Sequence, residues 1–86
     1  MLYKLIVQKK VMKFINKRTP KDKQNIDTKL KLLKSNPYPN NSLDIKKLTH
    51  SPFYRPRINN YRFIYEIIDE ELVILMVDGD NRGDVY

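Results

Sequence analysis

The hydrophobic period of this chain changes once, near its middle, and that change sets the fold class. Between Lys9 and Leu33 the apolar residues fall three and four apart: Val11, Phe14 and Ile15, then Ile26, Leu30 and Leu33. Such spacing gives two helices with one buried stripe each. From Phe53 the spacing drops to two. Phe53 to Ile58 and Tyr61 to Ile68 read as strands joined by a tight turn at Asn59-Asn60. Leu72 to Val77 is continuously apolar, as a central strand would be. Leu2 to Val7 reads as a short leading strand, and Asp78 to Asp84 as a loop. The expected fold class is α+β in the order β-α-α-β-β-β. It is an antiparallel sheet with the N-terminal helical hairpin packed on one face, in a single domain over residues 1–86.

Local chemistry supports these boundaries. Thr19 is a natural N-cap, Pro20 suits the first helical position, and Asp22 sits at the helix end that favours negative charge. Asn36-Pro37 stops that helix. Three prolines between residues 36 and 52 make a loop, expected to become extended around Leu43 to Leu48. Pro56 cannot donate to a ladder, so it should lie at a sheet edge or bulge.

Charge narrows the function. The net charge is +7, but residues 1–57 hold 15 basic and 3 acidic side chains, and residues 58–86 hold 2 and 7. A basic surface of this kind suits a polyanionic partner such as nucleic acid, and equally a solvated lysine-rich helix face. There are no cysteines and one histidine, which excludes disulfide scaffolds and Cys or His metal clusters, so neither metal nor cofactor is expected. No apolar run reaches the roughly 20 residues of a membrane helix. The first residues, Met1-Leu2-Tyr3-Lys4, lack the layout of a signal peptide, so the cytoplasm is the expected compartment.

Two motifs are weak. Asp78-Gly79-Asp80-Asn81-Arg82-Gly83 begins like a calcium loop but has Arg82 at the fifth position and no acidic residue at the twelfth. His50, between Thr49 and Ser51, suits a general base by type but has no orienting partner in the sequence. A stronger pattern is Arg55-x-Arg57-x-x-x-x-Arg62. Alternation puts Arg55 and Arg57 on one strand face, and Arg62 joins them if the hairpin register allows. Three converging guanidiniums repel one another, so either acidic groups such as Glu66 neutralise them or a polyanionic ligand does.

Residues 46–86 carry a family resemblance. Lys46-Lys47-Leu48, then Tyr54-Arg55-Pro56-Arg57-Ile58, then Tyr61-Arg62-Phe63-Ile64-Tyr65-Glu66, and a closing Arg82-Gly83-Asp84-Val85-Tyr86 resemble the RelE branch of the RelE/ParE toxin superfamily. The element order agrees along the whole chain. Three positions depart from the family pattern. Pro56 stands between the two strand arginines, Asn59-Asn60 replaces Gly-Asp at the turn, and Asn81 stands where many relatives have His.

The resemblance implies the toxin of a type II toxin–antitoxin pair, a metal-independent endoribonuclease that cuts mRNA at the ribosomal A site and arrests translation. The catalytic positions it implies are Arg55, Arg57, Arg62, Arg82 and Tyr86, with Lys46, Lys47, Tyr54 and Tyr61 contacting RNA. The implied partners are an acidic cognate antitoxin, mRNA and the ribosome, with DNA met only through an antitoxin complex and no membrane. Arginine forks suit the equatorial phosphate oxygens, but arginine is a poor base. Tyr86, lowered by nearby cations, is the sequence candidate for that role or for stacking on a nucleobase. The alternatives are a ParE-like toxin that poisons DNA gyrase, and a non-catalytic RNA- or ribosome-binding domain.

Overall fold

A computed structural model describes residues 2–39 and 43–81. The elements run β1 (Lys4–Val7), α1 (Lys9–Asn16), α2 (Pro20–Ser35), β2 (Ile45–Lys47), β3 (Phe53–Ile58), β4 (Tyr61–Ile68), a 3-10 turn (Asp69–Glu71) and β5 (Val73–Asn81). The five strands form one sheet in the order β1-β5-β4-β3-β2. Strands β2 to β5 are antiparallel neighbours, and β1 joins β5 in parallel. The helices carry the chain from β1 to β2 at the far edge, and β3 and β4 lead back to β5, so the parallel pair has the long connection it needs. The α+β class and the helical hairpin are as expected, and the sheet is mixed.

Each helix forms for the reasons the residues suggest. The Thr19 side chain accepts from the Asp22 backbone N–H at 3.2 Å, capping α2. Val11 of α1 and Ile26, Leu30 and Leu33 of α2 are buried against the sheet. From the sheet come Ile58, Phe63, Tyr65, Ile74 and Met76, so one core lies between the helix layer and one sheet face. The Tyr65 ring stacks on Tyr54 with centroids 5.8 Å apart. Its hydroxyl donates to the Pro37 carbonyl, which satisfies the one polar atom this aromatic brings inside.

Three details depart from expectation. Asp78 to Asn81 continue β5 instead of forming a loop, because Asp78, Gly79, Asp80 and Asn81 pair with Ile64, Phe63, Arg62 and Tyr61. Tertiary pairing outweighs the poor strand propensity of Asp, Gly and Asn. A shift in register beside Ile64 and Tyr65 marks a bulge at Val77. Second, Gly79 acts by close approach rather than as turn glycine. A Cβ there would sit 3.1 Å from both the Phe63 ring and the Val11 side chain. Third, Pro56 is buried in β3, one strand in from the edge. The β3–β4 ladder pairs Tyr54 with Tyr65 and Arg57 with Arg62 but is interrupted between them, at Arg55 and Pro56. The missing N–H falls in that gap.

The turns follow their residues. Asn59 takes a positive φ of 52° at the hairpin tip, which asparagine tolerates better than most residues. Leu72 closes the 3-10 turn in the left-handed region, at φ 52° and ψ 47°.

Candidate nucleic-acid interface

The sheet face turned away from the helices gathers the basic residues. Pro56 and Ile58 are buried on the helix side, so the alternating Arg55 and Arg57 lie on the other face. The hairpin register makes Arg57 and Arg62 direct cross-strand partners, and on the other flank Lys46 of β2 is opposite Arg55. These four cations line one cavity of about 350 Å³ together with Asp44, Pro56 and Tyr61. Residues directly opposite in an antiparallel pair have Cβ atoms about 4.5–5.5 Å apart, and like charges there repel.

Neutralisation within the chain is partial. Arg57 Nε lies 3.7 Å from Asp44 Oδ2, with both side chains more than half exposed. Such a pair is held weakly and is readily exchanged for another anion. Among the described residues, Arg55 and Arg62 make no salt bridge. The Nε of Arg62 is buried and has no hydrogen-bond partner. Glu66 shares the face of Arg62 but sits opposite Phe53 and Leu75 and makes no salt bridge among the described residues, whereas Asp80 is opposite Arg62. A buried guanidinium N–H left open at the wall of a cationic cavity is a site prepared for an anion.

The other sequence candidates separate into three groups. Lys46 belongs to the cavity. Lys47 and Tyr54 are register partners on the helix-side face. Tyr54 is built into the aromatic stack with Tyr65 and meets Tyr38 edge-on at 6.0 Å, so it is a core residue. Tyr61 lines the cavity rim, but its hydroxyl donates to Asp22 Oδ2 at 2.6 Å and its ring packs on Phe14 with centroids 5.5 Å apart. Accepting that hydrogen bond, the Asp22 carboxylate pushes the Tyr61 phenol up, with desolvation adding to the effect. The Tyr54 ring is away from the arginines, and Tyr61 meets their cavity only at its rim. The reason is parity: Tyr54 and Tyr61 stand one residue from Arg55 and Arg62, hence on the opposite face. Arg82 and Tyr86 lie outside the described residues. His50 is exposed at a positive φ of 59° in the β2–β3 connection and does not line the cavity.

Asp44 lies in the stretch expected to be extended, but nothing local in the sequence pairs it with Arg57 of β3. The available signal was Asp44-x-Lys46, the spacing that puts two side chains on one face of an extended segment.

A second polar cluster ties the helices to the hairpin tip. Asp22 Oδ1 accepts from Asn59 Nδ2 at 3.3 Å, and Asn25 Nδ2 donates to Asn59 Oδ1. Arg18 lies over the Phe14 ring at 4.3 Å and the Tyr61 ring at 5.3 Å. These contacts fix the β3–β4 turn, and with it the register that puts Arg57 opposite Arg62.

No helix among the described residues is long and apolar enough to cross a membrane, and no three His, Cys, Asp or Glu residues gather there to hold a metal.

The comparisons with known proteins agree with this architecture. A chain of Methanocaldococcus jannaschii that carries the toxin name RelE1 is 28% identical over 87 residues, covering 100% of this chain and 97% of that one. The archaeal RelE–RelB complex of Pyrococcus horikoshii superposes with a TM-score of 0.85 at 25% identity, over 99% of this chain and 100% of that chain. The intact Escherichia coli RelBE toxin–antitoxin complex gives a TM-score of 0.76 at 22% identity, over 92% and 95% of the two chains, a likeness of fold. The pattern of the ParE toxin family of type II toxin–antitoxin systems (parDE) matches residues 8–82. Since that match takes in both helices and all of β2 to β5, the chain belongs to the ParE toxin family of type II toxin–antitoxin systems, and within it is a RelE-type toxin.

Proposed function

We propose that this toxin is an endoribonuclease that cuts mRNA, in the ribosomal A site, and so stops translation. The observation that carries this reading is the single cavity into which Lys46, Arg55, Arg57 and Arg62 converge, with the Arg62 Nε unpartnered. Attack of a ribose 2′-oxygen on the adjacent phosphorus builds negative charge on the equatorial oxygens. Preorganised donors aimed there contribute roughly 10²–10³ in rate each. Guanidiniums supply that charge and never deprotonate, so the proposed chemistry uses no metal. Arg82 and Tyr86 are proposed from the family resemblance to complete the set, Tyr86 closing the cavity by stacking or by its hydroxyl.

The lysines of α2, Lys21, Lys23, Lys29, Lys31 and Lys34, sit on the opposite layer. Their part is salt-dependent docking to ribosomal RNA rather than chemistry. Several solved RelE relatives are complexes with RelB antitoxins. We propose an acidic antitoxin as the partner of this chain also, its carboxylates matching the basic surface of residues 1–57. The cytoplasm, where mRNA and ribosomes lie, is the proposed compartment.

The test is primer extension on mRNA from cells expressing the toxin. New 5′ ends that appear with wild type and vanish with Arg62→Ala support cleavage. Growth arrest with no new ends would overturn it.

The family pattern is named for ParE, and this favours one second reading, contact poisoning of DNA gyrase. Gyrase-dependent DNA breaks after induction, persisting in Arg62→Ala, would select it. The arginine cavity has no role in that reading.

A further inference from the structure

Lys46, Arg55, Arg57 and Arg62 bring positive charge to the cavity but leave open which group removes the 2′-OH proton. Guanidinium and ammonium groups have no lone pair to accept it. The Tyr61 hydroxyl is turned to the other face and donates to Asp22. Among the described residues, Asp44 is the one carboxylate that lines the cavity.

Its position is built in rather than incidental. The Asp44 backbone carbonyl accepts from the Arg57 N–H at 2.8 Å, which fixes the main chain beside β3. Its side chain is 69% exposed, hence open to a ligand, and it points at the Arg57 guanidinium through Oδ2. Among the described residues Oδ1 makes no hydrogen bond. Among the described residues, the charged groups that line the cavity with Asp44 are Lys46 of β2, Arg55 and Arg57 of β3 and Arg62 of β4, and Asp80 of β5 is opposite Arg62.

We propose that Asp44 is the general base of RNA cleavage in this protein. The inference rests on the endoribonuclease reading above. Asp44 takes the proton of the 2′-OH as the 2′-oxygen forms its bond to phosphorus. The bond from phosphorus to the 5′-oxygen breaks, and that oxygen takes a proton from water. The products are a 2′,3′-cyclic phosphate and a 5′-hydroxyl end, and the carboxylic acid then returns its proton to solvent. No electrons are exchanged with a co-reactant. Arg57 has two partners in turn: Asp44 in the free protein, and a phosphate oxygen once RNA enters. Exchanging the first for the second frees the carboxylate beside the ribose.

Single-turnover cleavage of programmed ribosomes by the full-length toxin tests this, using wild type, Asp44→Asn and Asp44→Glu across acid to neutral pH. The wild-type rate should rise with pH as the base ionises. Asp44→Asn should lose about 10²–10⁴ in rate at neutral pH, the usual contribution of a general base, and lose the rise. Asp44→Glu should keep the rise. Affinity of Asp44→Asn for an uncleavable 2′-deoxy substrate should be equal or tighter, because a negative charge leaves the cavity. A structural role for Asp44 would weaken binding and leave the pH profile intact, and that result overturns the proposal. So does an Asp44→Asn variant with the wild-type rate. If wild type cuts no RNA, on or off the ribosome, the endoribonuclease reading itself fails.

Discussion

Arg57 and Arg62 stand directly opposite each other across the β3–β4 hairpin, two like charges at the position where cross-strand contact is closest. Folding gains nothing from this pair. Opposed like charges destabilise a sheet, and the buried Arg62 Nε adds an unpaired donor. A ligand that carries negative charge removes both costs, and this makes stability and function separable at these residues.

Arg62→Met should therefore be more stable than wild type by about 1–3 kcal/mol, the range for relieving an unsatisfied buried donor. The same variant should lose growth arrest. Denaturant midpoints with unchanged m-values, beside a growth assay, check both. Wild-type toxicity in a stabilised Arg62→Met protein would contradict the site assignment.

Inorganic phosphate or sulfate should raise the thermal midpoint of wild type through binding to the folded state. In Arg55→Ala/Arg62→Met that rise should shrink to the general salt effect seen with chloride. A scan at constant ionic strength separates the two.

Gly79 should tolerate no side chain. Gly79→Ala places a methyl 3.1 Å from Phe63 and Val11, tighter than ordinary contact, and overpacking of this kind costs about 1–3 kcal/mol. Gly79→Ala combined with Val11→Ala should recover part of the loss. Equal destabilisation in the single and double variants would exclude the steric cause.

Asp69 clamps the far end of the sheet, and its contribution should depend on pH. It accepts from the Tyr3 hydroxyl at 2.8 Å and from the Tyr38 hydroxyl. Those two bonds, Tyr38 first, hold its carboxyl below the usual range. The same bonds push the Tyr38 and Tyr3 phenols up. A lowered acid stabilises the fold above its unfolded pKa of about 4, and the gain disappears as pH falls through the folded value. Raised phenols act in the opposite sense: their gain is complete below about pH 10 and disappears as pH rises through the folded values. Asp69→Asn should thus be less stable than wild type at neutral pH and converge with it in strong acid. Chemical denaturation from acid to alkaline pH measures the difference.

Arg82→Ala should abolish growth arrest while leaving the fold intact, if the closing motif of the sequence completes the cavity. Circular dichroism and a growth assay on the same variant are sufficient, and full toxicity would remove Arg82 from the site.

Much of this molecule was written in local pattern. The periods of 3.6 and 2 placed both helices, the bounds of β3 and β4 and the tip at Asn59-Asn60, because each depends on which residues must face one core. Parity along β3 also put Arg55 and Arg57 on a shared face. Other features depended on partners far away in the chain. Asp78 to Asn81 became strand because β4 offered them a ladder. Pro56 entered the interior because the β3–β4 pairing opens at that point. Tyr54 and Tyr61 went to the helix side, since one residue of parity separates them from the arginines. Only the register could set Arg57 against Arg62, and only the path of residues 43–45 could bring Asp44 to them. A side chain's face is a local property of its strand. Its neighbours across strands are decided by hydrogen-bond pairing between segments that composition and spacing do not connect.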